Sequence, residues 1–225
     1  MTSVSPDILE AFKEFDSPTV FNAILAMEGK PNEDYTDHTI NCLLPEFGPI
    51  IGYAVTAEVT TNDEDSAAVS WDDYYTMLDE RDGPLIAMIK DVDSRPGRGA
   101  SFGDGMATLH KTLGVVGVIV DGTVRDLAGI RRVGMPTYAW GTVPGHGQFN
   151  VTRFDAPLTV GQLRVHPGDL LFADGDGCQR IPNDRAEEVL DHARQVREKE
   201  AGIFEFYGSA DFTLAEMIAR KAKKK

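Results

Sequence analysis

The side chains best placed to do chemistry sit in one run, Gly117-Val118-Ile119-Val120-Asp121-Gly122-Thr123-Val124-Arg125-Asp126. The apolar stretch stops at Asp-Gly, and an arginine and an aspartate follow side by side. Neighbouring side chains in a regular strand or helix point to different faces, so the pair calls for a reason. Asp126 has an ordinary one, because an acid at a helix start is favoured as a cap and by the helix dipole. Arg125 has none, since a cation at a helix N-terminus is disfavoured. A guanidinium is suited to bidentate capture of a carboxylate. An arginine beside an aspartate could therefore bind an anion and a cation next to each other.

A second stretch, "SFGDGMAT" at 101–108, has the same strand–loop–helix character. Gly103 and Gly105 allow a ligand to approach the backbone closely, and the amides that follow can point at an anion. The competing reading is a glycine-rich turn with Asp104 as an N-cap. The spacing does not fit G-x-G-x-x-G, and the Lys-Ser/Thr of a P-loop is absent, so a nucleotide site is discarded. A third stretch, "PGDLLFADGDG" at 167–177, has acids at 169, 174 and 176 but lacks the EF-hand glycine and glutamate. It reads as a strand bracketed by tight turns. The histidines at 38, 110, 146, 166 and 192 form no zinc motif, and no G-x-S-x-G elbow is present.

The elements that must position these residues follow from periodicity. Residues 7–29 read as two helices, the second with Ser17 as N-cap, Pro18 at the first helical position and Gly29 as terminator. Strands are predicted over 49–61, 84–92, 115–120 and 135–140. Helices are predicted over 70–80, about 105–113, 125–134 and 184–206, with "DSRPGRGASFGDG" as a loop. Alternating strands and helices give βαβ units and a parallel or mixed sheet, with ligands at the carboxyl ends of the strands. The later stretch, about 155–182, has short alternating strands and glycine-rich turns, which suggests hairpins.

The chain has 225 residues and a net charge of −14. That charge argues against a surface built to neutralise phosphates, so no nucleic-acid partner is expected. The one basic cluster, Arg220 to Lys225, reads as a solvated end. No run is apolar and long enough to cross a membrane, and no signal peptide is visible, so a cytoplasmic location is expected. Cys42 and Cys178 lack metal-ligand spacing and are expected as free thiols.

Taken together, "GDGMAT", "LGVVGVIVDGTVRD" and "VHPGDLLFADGDGCQRIP" resemble the RraA-like family, over about residues 15–205. The resemblance is strongest to its branch of class II 4-hydroxy-4-methyl-2-oxoglutarate/4-carboxy-4-hydroxy-2-oxoadipate aldolases. It implies an α/β fold: one layered α/β/β domain over 1–225 with a mixed central sheet, swivelling-domain-like, and a helical extension over 184–225. It implies a lyase that cleaves a 4-hydroxy-2-oxo acid to pyruvate through a metal-stabilised enolate, with oxaloacetate decarboxylation open to the same site. Arg125 would grip the pyruvyl carboxylate, and Asp126 would ligate Mg²⁺, Mn²⁺ or another divalent cation. Asp104 would hold a water used in proton transfer. Gly103, Gly105, Met106 and Ala107 would help bind the substrate, the last three through their amides. Glu200, or its rival Glu198, would complete the outer metal shell from a neighbouring subunit of a homotrimer or homohexamer. The resemblance also leaves open a non-catalytic RraA-type regulator, although such proteins lack the aspartate of the pair. A same-site enzyme for another keto or hydroxy acid is the remaining alternative. The chain departs from the pattern at Asn22, where the family often has Asp, and in "WDDYYTMLD", which marks a subgroup with poorly defined substrates.

Overall fold

Two proline-initiated helices open the chain in the computed structural model, which describes residues 4–64 and 66–222. They are α1 (Pro6–Phe12) and α2 (Ser17–Glu28). The cap of α2 lies one residue earlier than the sequence predicts. Asp16, not Ser17, is extended, and its carboxylate accepts the Thr19 amide at 2.8 Å. Ser17 instead ties the helix to the sheet, where its N–H and Oγ both donate to the Asp174 carboxylate, at 2.6 and 2.7 Å. Gly29 ends the helix in the left-handed conformation, as expected.

The chain continues through β1 (Asn41–Cys42), β2 (Ile50–Thr60), α3 (Trp71–Asp79), β3 (Leu85–Asp91), β4 (Ala100–Phe102) and α4 (Asp104–Thr112). Next come β5 (Val115–Val124), α5 (Leu127–Val133), β6 (Thr137–Thr142) and β7 (Asn150–Phe154). The hairpins β8 (Leu158–Val160)/β9 (Leu163–Val165) and β10 (Leu170–Asp174)/β11 (Gly177–Ile181) follow, then α6 (Ala186–Tyr207) and α7 (Leu214–Ala222). The main sheet runs β1-β6-β5-β3-β2-β10-β11, with β4 added to β5 and β7 to β2. Strands β2 to β6 pair in parallel where they meet, while β1, β7, β10 and β11 pair antiparallel, so the sheet is mixed. Tyr35 bridges Gln179 on β11, and the chain then passes to β1 at the far edge, which nearly closes the sheet.

Period-two alternation assigns the layers. Leu85, Ala87 and Ile89 of β3 face the cluster under α3, α4 and α5, while Ile86 and Met88 face the opposite way. That opposite face is covered by the β8–β9 hairpin through Leu158, Val160, Leu163 and Val165. The expected layering of helices, sheet and hairpin is therefore present. A third cluster packs α1, α2 and α6 on Ile51, Leu170 and Phe172.

Several boundaries differ from the sequence reading. The predicted loop before residue 104 contains β4, recruited by pairing of Ala100 with Thr123 and Phe102 with Val124. Strand β5 does not stop at residue 120, because β4 and β6 keep it paired to Val124. The predicted helix 125–134 begins only at Leu127. The reading of 167–177 as a strand bracketed by tight turns holds, since β10 spans Leu170–Asp174 and turns back at Gly177 into β11, with Asp174 buried beneath Ser17. The basic end is helical as far as Ala222 and Arg220 is exposed there, in keeping with the solvated end expected. Arg220 pairs with Glu216 at 3.1 Å and lies 3.8 Å over the Phe206 ring. Residues 223–225 lie outside the described residues. Cys42 and Cys178 are free. No helix among the described residues is long and apolar enough to cross a membrane.

Candidate functional site

Parallel strands β4 and β5 end side by side, and the two loops that leave them build one cleft. The Arg125 amide donates to the Phe102 carbonyl at 2.9 Å, which fixes the start of one loop against the other. Asp126 then adopts φ 55°, ψ 37°. This left-handed conformation is uncommon for a residue with a side chain, but Asp is among those that tolerate it. Its carbonyl accepts the Gly129 and Ile130 amides at 2.7 and 2.9 Å, so the reversal is locked by the first turn of α5.

The reversal answers the question of the adjacent charges. Because Asp126 leaves the strand geometry, its Oδ2 turns back to 3.2 Å from Arg125 Nε. The two side chains retain 38% and 45% exposure, so the pair remains open to a ligand and adds little stability of its own. Gly103 lies beneath it: a Cβ there would sit 3.2 Å from Asp126 Oδ2 and 3.4 Å from Arg125 Cγ. A side chain at Gly103 would crowd the pair by a few tenths of an ångström, while its φ of −149° is ordinary extended backbone.

Asp104 is the first residue of α4 rather than its cap, and no side chain caps that helix. Among the amides expected to face a ligand, that of Ala107 already donates to the Gly103 carbonyl at 2.9 Å, and Ala107 is fully buried. The amides of Asp104, Gly105 and Met106 are the ones a helix start leaves without intrahelical partners. The Asp104 side chain leans toward α5, where a Cβ on Gly129 would come within 2.1 Å of its Oδ2 and 2.6 Å of its Cβ. Gly129, which the sequence reading passed over, is what makes room for this carboxylate.

The cleft, about 380 Å³, joins Gly103, Asp104, Gly105, Met106, Arg125 and Asp126. Its other wall comes from Trp71 and Tyr75 of α3 and from His146 and Phe149 of the loop before β7. Trp71 stacks on both Tyr75 and Phe149, with centroids 5.7 and 5.0 Å apart. The i,i+4 spacing of Trp71 and Tyr75 signals a shared helix face, but nothing in the sequence says what that face meets. Glu200 is elsewhere in the chain: it lies on α6 and accepts from Asn22 Nδ2 at 3.4 Å, while Glu198 is exposed. No group of three or more potential metal-binding side chains exists among the described residues. Asp126, with one oxygen on Arg125 and the other not engaged by it, suits a hard cation that keeps several waters, as Mg²⁺ does.

Beneath the cleft, His110 is buried and holds α4 to α3. Its partners fix its state: Nδ1–H donates to the Met106 carbonyl, and Nε2 accepts from Tyr74 Oη, each at 2.8 Å. Burial pushes its pKa down to about 4, opposed by the Met106 bond. A histidine kept neutral in the fold binds its proton only in the unfolded chain as pH drops below about 6.5. The stability it supports is complete above that value and is lost between about 6.5 and 4, on the order of 3 kcal/mol. Urea titrations across this window should show that decline, and His110→Gln, which cannot titrate, should flatten it. An equal slope in the variant would assign the decline to other groups.

Comparisons with known proteins bear on the family and the fold. A family model described as RraA-like, Aldolase/RraA, matches residues 6–179. A protein of Halalkalibacterium halodurans named "Putative 4-hydroxy-4-methyl-2-oxoglutarate aldolase" is 26% identical over 196 residues, covering 87% of this chain and 86% of its own. A solved protein from Pseudomonas syringae pv. tomato superposes with a TM-score of 0.74 at 21% identity, covering 94% of this chain and 92% of that one. Streptomyces coelicolor RraAS2, described as an unusual member of the RNase ES inhibitor RraA protein family, superposes at 0.71 and 24% identity, covering 88% of this chain and 96% of its own. Those two likenesses concern the fold, and the family match covers both loops of the cleft: the chain belongs to the RraA-like, Aldolase/RraA family.

Proposed function

We propose that this protein is a divalent-metal-dependent lyase that cleaves a 4-hydroxy-2-oxo acid to pyruvate by a retro-aldol reaction. The observation that carries the reading is the Arg125–Asp126 pair, a cation and an anion folded back on each other at a cleft mouth by a left-handed aspartate. A 2-oxo acid presents a carboxylate and a keto oxygen together, and it needs both kinds of partner. The aldolase name borne by the Halalkalibacterium relative supports the reaction class. Arg125 binds and orients the carboxylate, helped by the open amides at the start of α4. Asp126 holds the cation, which when bound would polarise the keto group and stabilise negative charge developing on it. Asp104, at the same mouth, moves the proton through a water. A metal-stabilised enolate needs no Schiff-base lysine, and Lys90 and Lys111, the two lysines between residues 31 and 198, are engaged elsewhere. Lys90 faces Asp121 and the Thr159 carbonyl, and Lys111 donates to the Val133 and Gly134 carbonyls. The same enolate chemistry would decarboxylate oxaloacetate.

The test is pyruvate release from a panel of 2-oxo acids, with Mg²⁺ and with chelator. Turnover should require the cation. Asp126→Asn, which trades an anionic ligand for a neutral amide, should need a much higher Mg²⁺ concentration for half-activation. Wild-type turnover in chelator, or by Asp126→Asn at limiting Mg²⁺, would remove the metal from the mechanism.

We also propose that the working unit is a homotrimer or homohexamer in which Glu200, or Glu198, reaches a neighbour's cleft. Supporting this, α6 turns Glu200 toward Asn22 and not toward the cleft of its own chain. Light scattering of the active protein should give a trimer or a multiple of it. An active monomer near 24.6 kDa would overturn the assignment.

A further inference from the structure

We infer that Asn22 is a positioning residue: it holds the Glu200 carboxylate, so that Glu200 and not Glu198 is the glutamate that α6 delivers to a neighbour's cleft. This rests on the oligomer reading above and goes beyond it to the group that sets which glutamate acts and how it is aimed.

Three observations carry it. First, α2 and α6 pack along a common seam, with Val20, Ala23 and Ile24 in one cluster with Val189, Leu190 and Ala193. Glu200 stands two turns beyond Ala193 on the same face of α6 and is half-buried. Glu198 lies roughly 200° around the helix from it and is exposed. Second, Asn22 borders that seam next to Ala23, and its Nδ2 donates to Glu200 Oε1 at 3.4 Å. An ionised carboxylate only accepts hydrogen bonds, so the pairing uses the amide N–H and would be lost with a carboxylate at position 22. A glutamate held in advance has less rotamer freedom to lose when it engages. Third, Asn22 does not line the cleft of its own chain. It lines a separate hollow of about 250 Å³ with Ser17, Phe21, Tyr35 and Gln179. Its bond to Glu200 therefore belongs to a surface distinct from the one that holds Arg125 and Asp126, and what it does for turnover it does at another subunit's site.

The test reads pyruvate methyl-proton exchange in D₂O at saturating pyruvate and Mg²⁺. Asn22→Ala should lower the rate roughly tenfold, the scale of one hydrogen bond to a charged group. Pyruvate affinity should change little, since Arg125 is untouched. Asn22→Asp has the same shape but sets a like charge beside Glu200, so it should be no faster than Asn22→Ala. A residue needed only for packing would tolerate it. By calorimetry, Asn22→Ala should weaken Mg²⁺ binding in the same direction as Glu200→Gln, and the double variant should bind no more weakly than Glu200→Gln alone.

Co-expressed pairs of variants, purified as mixed oligomers through two different tags, decide where Asn22 acts. In a ring of heterologous contacts each cleft joins one chain's Arg125 to the next chain's Glu200. Asn22→Ala mixed with Arg125→Ala should therefore regain about a quarter of the wild-type rate, above either parent. Asn22→Ala mixed with Glu200→Gln should give only the average of its parents. If Glu200→Gln complements Arg125→Ala but Asn22→Ala falls below its own parent rate in the same mixture, Asn22 serves its own chain's cleft and the inference alone is overturned. Wild-type exchange by Asn22→Asp, or complementation by Glu198→Gln with Glu200→Gln fully active, has the same consequence. If neither glutamate variant complements Arg125→Ala, the oligomer reading fails and the role of Asn22 falls with it. Wild type that binds pyruvate and Mg²⁺ without exchanging removes the lyase reading and this inference together.

Discussion

Asp104→Asn should leave pyruvate and Mg²⁺ bound and nearly abolish exchange of the pyruvate methyl protons in D₂O. The exchange needs the enolate and a proton carrier but no carbon–carbon cleavage, so it isolates the step assigned to this carboxylate. General acid–base assistance is worth about 10²–10⁴-fold, and the variant should fall within that range. The fold should tolerate the change, because the Asp104 side chain caps no helix and its oxygens lean only against the first turn of α5. Arg125 and Asp126 stay in place, held by the Phe102 carbonyl and by the α5 amides respectively. Pyruvate affinity, read by calorimetry with Mg²⁺, should therefore change little. If the variant exchanges protons at the wild-type rate, Asp104 is not the proton carrier, and a group on the aromatic wall, His146 foremost, takes that place.

The strands and the Arg-Asp loop were legible in the sequence because their signals are local. The runs 49–61, 84–92 and 115–120 are β-branched and apolar, and the Asp-Gly step marks an end of the apolar core. What the sequence could not show is what pairing and packing decide. Val124 belongs to β5 only because β4 and β6 flank it, and β4 itself is three residues that no propensity would single out. The adjacent charges looked incompatible on any regular element. They meet because one residue takes a left-handed turn, and no local pattern specifies that for an aspartate. The aromatic wall was half legible. Trp71 and Tyr75 declared a common face, but Phe149 and His146 come from a loop more than seventy residues later, and only the fold brings them into one cleft with Arg125. His110 read as one scattered histidine among five, and its role depends on Tyr74, which a sequence spacing of 36 cannot connect to it.

Gly129 was invisible for a related reason: a glycine in a short helix reads as a weakness, and its purpose appears only with α4 in view. Gly129→Ala should lower kcat by about a hundredfold while the protein still folds. The new methyl would sit 2.1 Å from Asp104 Oδ2, a clash that rotating the carboxylate could relieve. It would also sit 2.6 Å from Asp104 Cβ, and no rotation relieves that, so α4 and α5 must separate. Overpacking of this kind costs about 1–3 kcal/mol of stability. Displacing a proton-handling group by ~1 Å can cost about 10² in rate. Gly129 touches no substrate and acts through Asp104, so a double-mutant cycle distinguishes positioning from general damage. If the reading holds, Asp104→Asn/Gly129→Ala should be no slower than Asp104→Asn alone, since a carboxylate already removed cannot be misplaced. Its denaturant midpoint should still fall by the overpacking cost, which shows that the methyl still pushes the two helices apart. Rate losses that simply multiply in the double variant would mean that Gly129 supports the cleft by some route other than Asp104.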